Sequence, residues 1–366
     1  MAKEHEARFN MSTNCNAENS DGHDISRRDF LRLGTAGAVG FGFLHERPLA
    51  QAASIGARCD SVILLWMQGG VSHLDTFDPK PDAPADIRGP FKAISTNVPG
   101  IQLCEHLPRM ARVADKIAFI RSMHHAEGAH ERGMSYMLSG CKPLPGISQP
   151  NLGAVISEAL GSRGAVPRSI RLCDDGHFQH GSCAAFDLGV EPARVREAYG
   201  SGGLGQKCLV ARRLVEAGAR FVAVEENGWD HHFRAFDALK NRLPPFDRAV
   251  SALIGDLADR GLLDKTMLLF ATEFGRSPRI NNEGGREHHC GAFSAFLAGG
   301  GIRGGQTIGA SGARGESAVD NPVTPEDLIR TVYHQIGINV DRKYAQTSFG
   351  WPMNILNGGR VISEIV

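Results

Sequence analysis

The stretch DSVILLWM, residues 60–67, runs from Val62 to Met67 without a polar side chain. A strand with one wet face alternates polar and apolar residues. An unbroken run rich in branched side chains fits a strand covered on both faces, inside a sheet with helices above and below. IAFIRSM, RSIRLC, RFVAVEEN, TMLLFATE and AFSAFLA give further strand signals along the chain. Stretches with helical spacing separate them, so the predicted fold class is α/β, with a mainly parallel central sheet and helices on both faces.

The connecting segments carry their own signals. LPRMARVADK reads as a helix leading into the second strand, and NLGAVISEALG as a helix closed by Gly161. Two helices are expected within residues 191–218. The amphipathic stretch 235–264 is expected to break at Pro244-Pro245. A last helix follows its cap, Thr324, with Glu326 and Asp327 in the first turn. The glycine-rich GSGGLGQK lacks the GK[ST] ending of a phosphate loop and reads as a turn between helices. AGGGIRGGQTIGASGARG reads as a flexible connection.

Charge and cysteine usage narrow the function classes. With 40 basic and 40 acidic residues the formal charge is zero, which leaves no electrostatic footprint for nucleic acid. No run of 18 apolar residues suggests a membrane span in the mature chain. The cysteines after residue 52 are scattered without CxxC spacing, and their odd number leaves at least one unpaired. The N-terminus differs from the rest: Arg27 and Arg28 in SRRDFLRLGTAGAVGFGFL precede a weakly apolar Gly/Ala stretch and the small residues of LAQAAS. This is the pattern of a twin-arginine export signal cleaved near Ala52. Residues 1–52 are therefore expected to be a disordered leader and signal peptide. Residues 53–366 would form one domain, periplasmic or secreted, whose first partner is the twin-arginine export machinery.

In open α/β sheets ligands gather beyond the carboxyl ends of the strands. His73 and Asp75 follow the first strand, and His124, His125 and His130 follow IAFIRSM. Asp230 and His232 follow RFVAVEEN; Glu273 ends TMLLFATE, with His288 and His289 beyond it. Imidazole with carboxylate is a donor mixture for zinc, manganese or iron, while carboxylate with carbonyl oxygen suits calcium.

SVILLWMQGGVSHLDTFDPKP, YMLSG, NGWDHH, ATEFGRSP, GREHH and PVTPEDLIRTVYHQIGI together resemble the domain-of-unknown-function 1501 family, related to the alkaline phosphatase and sulfatase superfamily. The resemblance covers nearly all of residues 26–366. It implies an alkaline phosphatase-like fold and a divalent-metal centre (zinc, manganese or calcium) at the strand ends. Asp230 and His232 are its first ligands, followed by His288, Glu273, His73 and Asp75. Glu287 stands where the family usually has aspartate. YMLSG resembles the end of the sulfatase nucleophile helix; the nucleophile offset then falls on His130, and Ser135 replaces a second histidine. The segment around 173–189 is shorter than in typical members. The expected activity is hydrolysis of small-molecule or polysaccharide sulfate or phosphate esters. In it His130 acts as base or ligand, Arg276 neutralises the anionic group, Ser135 is a candidate nucleophile, and the ion can substitute for a missing nucleophile by activating water. The alternative is a binding or scaffold protein that kept the fold without the chemistry.

Overall fold

β1 (Ser61–Met67) is buried at all seven positions. The computed structural model describes residues 56–366, apart from 148, 162, 164–165, 174–182, 342 and 347–351. The expected leader and export signal lie outside the described residues. In chain order there follow α1 (Ala85–Arg88), β2 (Ala93–Ser95), β3 (Gln102–Cys104), β4 (Ile117–Met123), α2 (His130–Ser139), α3 (Leu152–Leu160) and β5 (Ser169–Leu172). Next come α4 (Ala193–Tyr199), α5 (Gly203–Glu216), β6 (Phe221–Glu226), α6 (Ala235–Asp259), β7 (Thr266–Ala271), β8 (Gly275–Arg276) and β9 (His288–His289). β10 (Phe293–Ala298), β11 (Gln306–Ile308) and α7 (Pro325–Gln335) complete the elements that frame the site.

Seven strands form one sheet in the order β11-β4-β10-β7-β1-β6-β5. β5, β6, β1 and β7 run parallel, whereas β10 is antiparallel to both of its neighbours, β7 and β4. The mainly parallel sheet expected from the unbroken apolar runs is present, with one reversed strand. Successive residues of β1 point to opposite faces. Ile63, Leu65 and Met67 pack with α5 and α6 through Leu204, Leu214, Leu243 and Leu253. Val62, Leu64 and Trp66 pack with α3 and α7 through Ile156, Leu328 and Val332. Helices thus cover both faces, and each fully buried aliphatic or aromatic side chain contributes about 1.5–3 kcal/mol.

Three local expectations are corrected. α6 continues through Pro244 and Pro245. Both prolines are exposed, as are Lys240 and Asn241, whose carbonyls lose their helical donors, so water can satisfy them. LPRMARVADK forms two short 3₁₀ turns in place of a helix. There the buried Asp247 carboxylate of α6 accepts from the Arg109 and Met110 amides at 2.9 and 2.7 Å, capping the first turn. The glycine-rich connection after β10 contains β11, an edge strand parallel to β4. The cap at Thr324 is a full capping box with Asp327. None of the seven cysteines from Cys59 to Cys290 forms a disulfide.

Candidate metal centre

The parallel strands all leave the sheet at one edge, and the reversed β10 enters there, which brings five loops together. β7 ends just before Thr272 and Glu273, both fully buried. One Glu273 carboxylate oxygen accepts from the Gly69 amide at 2.8 Å and from His130 Nδ1 at 2.5 Å; the other accepts from Thr272 Oγ1 at 3.1 Å. Gly69 permits this approach. Its φ is +127°, and a Cβ there would lie 2.4 Å from the Asp230 nitrogen, so the loops after β1 and β6 touch through backbone alone.

α2 begins at His130, and the loop after β6 supplies Asp230 and His232 behind the buried Trp229. β8 and β9 pair Arg276 with His288. Gly285 lets this hairpin close on the β6 loop, because a Cβ there would sit 1.9 Å from the His232 carbonyl. His130 Nε2 lies 3.3 Å from one Asp230 oxygen; His232 Nε2 and His288 Nε2 lie 3.0 and 3.2 Å from the other. One ligand atom each from His130, Asp230 and His288 falls within 4.8 Å of the others, a group that could hold a metal ion.

The far side of each imidazole fixes its tautomer. His130 Nδ1 faces Glu273, His232 Nδ1 faces Glu287 at 2.7 Å, and His288 Nδ1 faces the Gly128 carbonyl at 2.8 Å. All three partners accept, so each Nδ1 carries the proton and, in a neutral ring, each Nε2 presents a lone pair. His232 Nε2 and His288 Nε2 are 3.1 Å apart. Bare lone pairs at that separation, facing a carboxylate, require extra protons or a shared cation. Tetrahedral zinc with bonds of about 2.0–2.1 Å separates its nitrogen ligands by roughly 3.3 Å. Burial works to raise the Asp230 carboxyl, but the Arg276 guanidinium, then His232 and His288, outweigh it and hold it down at about 2.

Of the remaining expected site residues, Glu273 is an orienting partner of His130, as its buried oxygens are already engaged. Arg276 is corrected from an anion-binding role. It is 1% exposed, and its nitrogens donate to the carbonyls of Gly69, Gly70 and Arg286 and to Asp230, so it positions Asp230. Ser135 is exposed on α2. Gly133, two residues earlier, packs against Glu273, and two residues turn a helix by about 200°, so Ser135 faces away from the cluster. Asp75 is also corrected: it is buried in a two-bond ion pair with Arg286.

His73 likewise does not join the cluster. It is fully buried, its Nε2 donates to the Gly315 carbonyl at 2.9 Å, and its Nδ1 has no partner among the described residues. Burial pushes its pKa down to about 4, against a smaller upward pull from Asp78. Between pH 6.5 and 4 the unfolded chain therefore binds a proton that the folded chain excludes, so stability falls as pH drops. The expected loss is on the order of 2 kcal/mol by pH 5. Urea melts at pH 7 and 5 check this, and the pH difference should shrink in His73→Gln.

Sequence reasoning did not assign a role to His125. Its Nε2 donates to the Glu273 carbonyl at 2.7 Å, and its Nδ1 accepts from the Glu127 amide at 3.0 Å. One ring thus steadies both Glu273 and the loop whose Gly128 carbonyl orients His288. The adjacent pair His124-His125 offered no signal to tell the two apart.

The sequence matches the family described as protein of unknown function (DUF1501) over residues 59–184 and 175–366. The chain belongs to that family. No curated protein matches this DUF1501 chain. Among solved structures it is similar to the C-terminal periplasmic domain of EcEptC from Escherichia coli, in complex with Zn. That likeness has 10% identity, 81% of this chain and 87% of that one covered, and a TM-score of 0.47. It is similar also to the lipoteichoic acid synthase LtaP from Listeria monocytogenes (9% identity, 82% and 75% covered, TM-score 0.45). A third is a protein in the alkaline phosphatase superfamily from Vibrio parahaemolyticus (12% identity, 86% and 76% covered, TM-score 0.42). These are likenesses of backbone path; the site is described from its own geometry.

Proposed function

We propose that this DUF1501 protein is an exported metallohydrolase of sulfate or phosphate esters, binding a divalent ion through His130, His232, His288 and Asp230. The observation that carries this reading is the convergence of three Nε2 atoms, each with its Nδ1 committed elsewhere, on one carboxylate. Three nitrogens and one carboxylate suit zinc or manganese better than calcium, which prefers six to eight oxygens. A divalent ion held there supplies Lewis-acid polarisation of a sulfuryl or phosphoryl oxygen. The chain's own residues prepare the site: Glu273 and Glu287 keep protons on Nδ1 of His130 and His232, and Arg276 fixes the Asp230 carboxylate. Such outer partners orient ligands and raise their basicity.

The competing reading is a binding or scaffold protein. It is favoured by the placement of Ser135 and by the lack, among the described residues, of a Ser, Thr or Cys side chain hydrogen-bonded to the four cluster residues. Elemental analysis of the purified chain, followed by a screen of aryl sulfates and phosphates, separates the two. Bound metal with turnover supports the hydrolase, and bound metal with no turnover on any ester supports the scaffold. No metal after reconstitution with zinc or manganese removes the centre altogether.

Export rests on Arg27, Arg28 and the small residues near Ala52. No helix among the described residues is long and apolar enough to cross a membrane. Replacing both arginines with lysine is expected to hold the precursor in the cytoplasm, unprocessed. Normal cleavage and export of the double variant, followed by fractionation and immunoblot, would refute the twin-arginine route.

A further inference from the structure

An open hollow of about 310 Å³ lies against Asp230, bordered by His231, Phe233, Arg234, Asp237 and Asn241. Its size is at the lower end for ligand clefts. Phe233 is 65% exposed, the one phenylalanine among the exposed large hydrophobic side chains of the described residues. The backbone holds it there: Phe233 bridges to Gly284, and the Arg234 and Ala235 amides donate to the Glu283 and Gly284 carbonyls at 3.0 and 2.9 Å. Arg234 adopts φ +46°, a left-handed conformation costly for a residue with a Cβ, and these contacts impose it.

The other lining residues, Ala238 apart, carry polar or charged groups of both signs, although most of the surface they turn to the hollow is apolar. Asp237 and Asn241 stand one turn apart on the same face of α6, and Arg234 is paired with Asp237 at 3.2 Å. Carboxylate, amide and imidazole groups around one exposed ring suit a neutral ligand with hydroxyls on its rim and an apolar face. In so open a hollow an acyl chain would stay wet along one side, whereas a sugar keeps its hydroxyls in water, and an anion would meet Asp237 and Asp230.

We propose that this hollow is a saccharide subsite, in which one pyranose ring stacks on Phe233 while its hydroxyls bond Asp237 and Asn241, presenting an attached ester to the neighbouring centre. The ester half rests on the hydrolase reading; the sugar half is tested by binding alone. Saturation-transfer NMR on the whole chain, with glucose, galactose, N-acetylglucosamine and their 6-sulfates and 6-phosphates, should show contact to at least one sugar. Phe233→Ala is expected to weaken that binding about three- to tenfold, the range of a single aromatic contact. Phe233→Tyr should restore it, and Asn241→Ala should weaken it independently. Metal content should be unchanged in all three, since none supplies a ligand. Sugar binding that depends on Phe233, without cleavage of any ester, upholds the subsite and removes the hydrolase. Cleavage of p-nitrophenyl sulfate or phosphate without detectable sugar binding overturns the subsite and leaves the hydrolase standing. Equal sugar binding by wild type and Phe233→Ala also overturns it.

Discussion

Asp230→Ala and His288→Ala are each expected to strip the chain of its divalent ion and abolish ester turnover. Asp230 is the hub of the cluster: its two oxygens lie 3.0–3.3 Å from the Nε2 atoms of three histidines. Losing a ligand exceeds the roughly 10- to 100-fold that loss of an outer partner costs. Glu273→Gln, which keeps an oxygen for the Gly69 amide, is therefore expected to fall within that smaller range. The two classes also differ in their response to added metal. Wild type and Glu273→Gln should gain thermal stability as ion is added, whereas Asp230→Ala and His288→Ala should not. Ser135→Ala serves as the control and should turn over like wild type, because its side chain faces away from the cluster. Full metal occupancy in Asp230→Ala would refute the centre, and a large rate loss in Ser135→Ala would reinstate a hydroxyl nucleophile.

The largest loss of stability is expected from Arg286→Met. Arg286 and Asp75 are each 1% exposed and form two bonds, at 2.8 and 3.1 Å. Arg286 also donates to the Ile87, Ser277 and Pro278 carbonyls, tying the β1 loop, α1 and the β8–β9 hairpin together. Methionine fills similar space but leaves the Asp75 carboxylate buried with Ser72 Oγ, 2.6 Å away, as its side-chain donor. Uncompensated buried charge of this kind costs about 3–5 kcal/mol. At about 2–4 °C per kcal/mol the thermal midpoint should fall by roughly 10 °C. Asp75→Leu combined with Arg286→Met removes both charges and should recover much of the loss, a coupling measurable in a double-mutant cycle. A loss below about 1 kcal/mol in the single variant would mean that water reaches Asp75.

The strands were legible because their signal is local. Segments such as SVILLWM and TMLLFA carry, in their own composition, the information that both faces are covered. The reversal of β10 was not legible, since FSAFLA looks the same in either direction. That reversal explains why His288, which lies before a strand, reaches the same edge as Asp230, which lies after one. The strand-end rule located the edge but carried no depth. His73 and Asp75 follow β1 by six and eight residues and Asp230 follows β6 by four, yet the β1 loop turns inward beneath Gly315 and Arg286. Arg276 shows the same limit, because an arginine written beside a site gives no sign of how many carbonyls will surround it. The continuity of α6 depended on which face its prolines occupy, a tertiary fact that Pro-Pro alone does not contain.

Asp230 and His288 are 58 residues apart in the chain, and His130 precedes its orienting Glu273 by 143. No short segment carries a complete donor set, so an ion has nothing to organise in the unfolded chain. In zinc fingers, by contrast, closely spaced ligands let the metal drive folding. Here the entropy of closing such long loops must be met by burial of the sheet, in which β10 lies between β7 and β4 and leads back to His288. On the proposed function, the complete donor set would therefore be available to an ion only in the folded chain. The compartment in which that strand finds its place decides which metals are on offer.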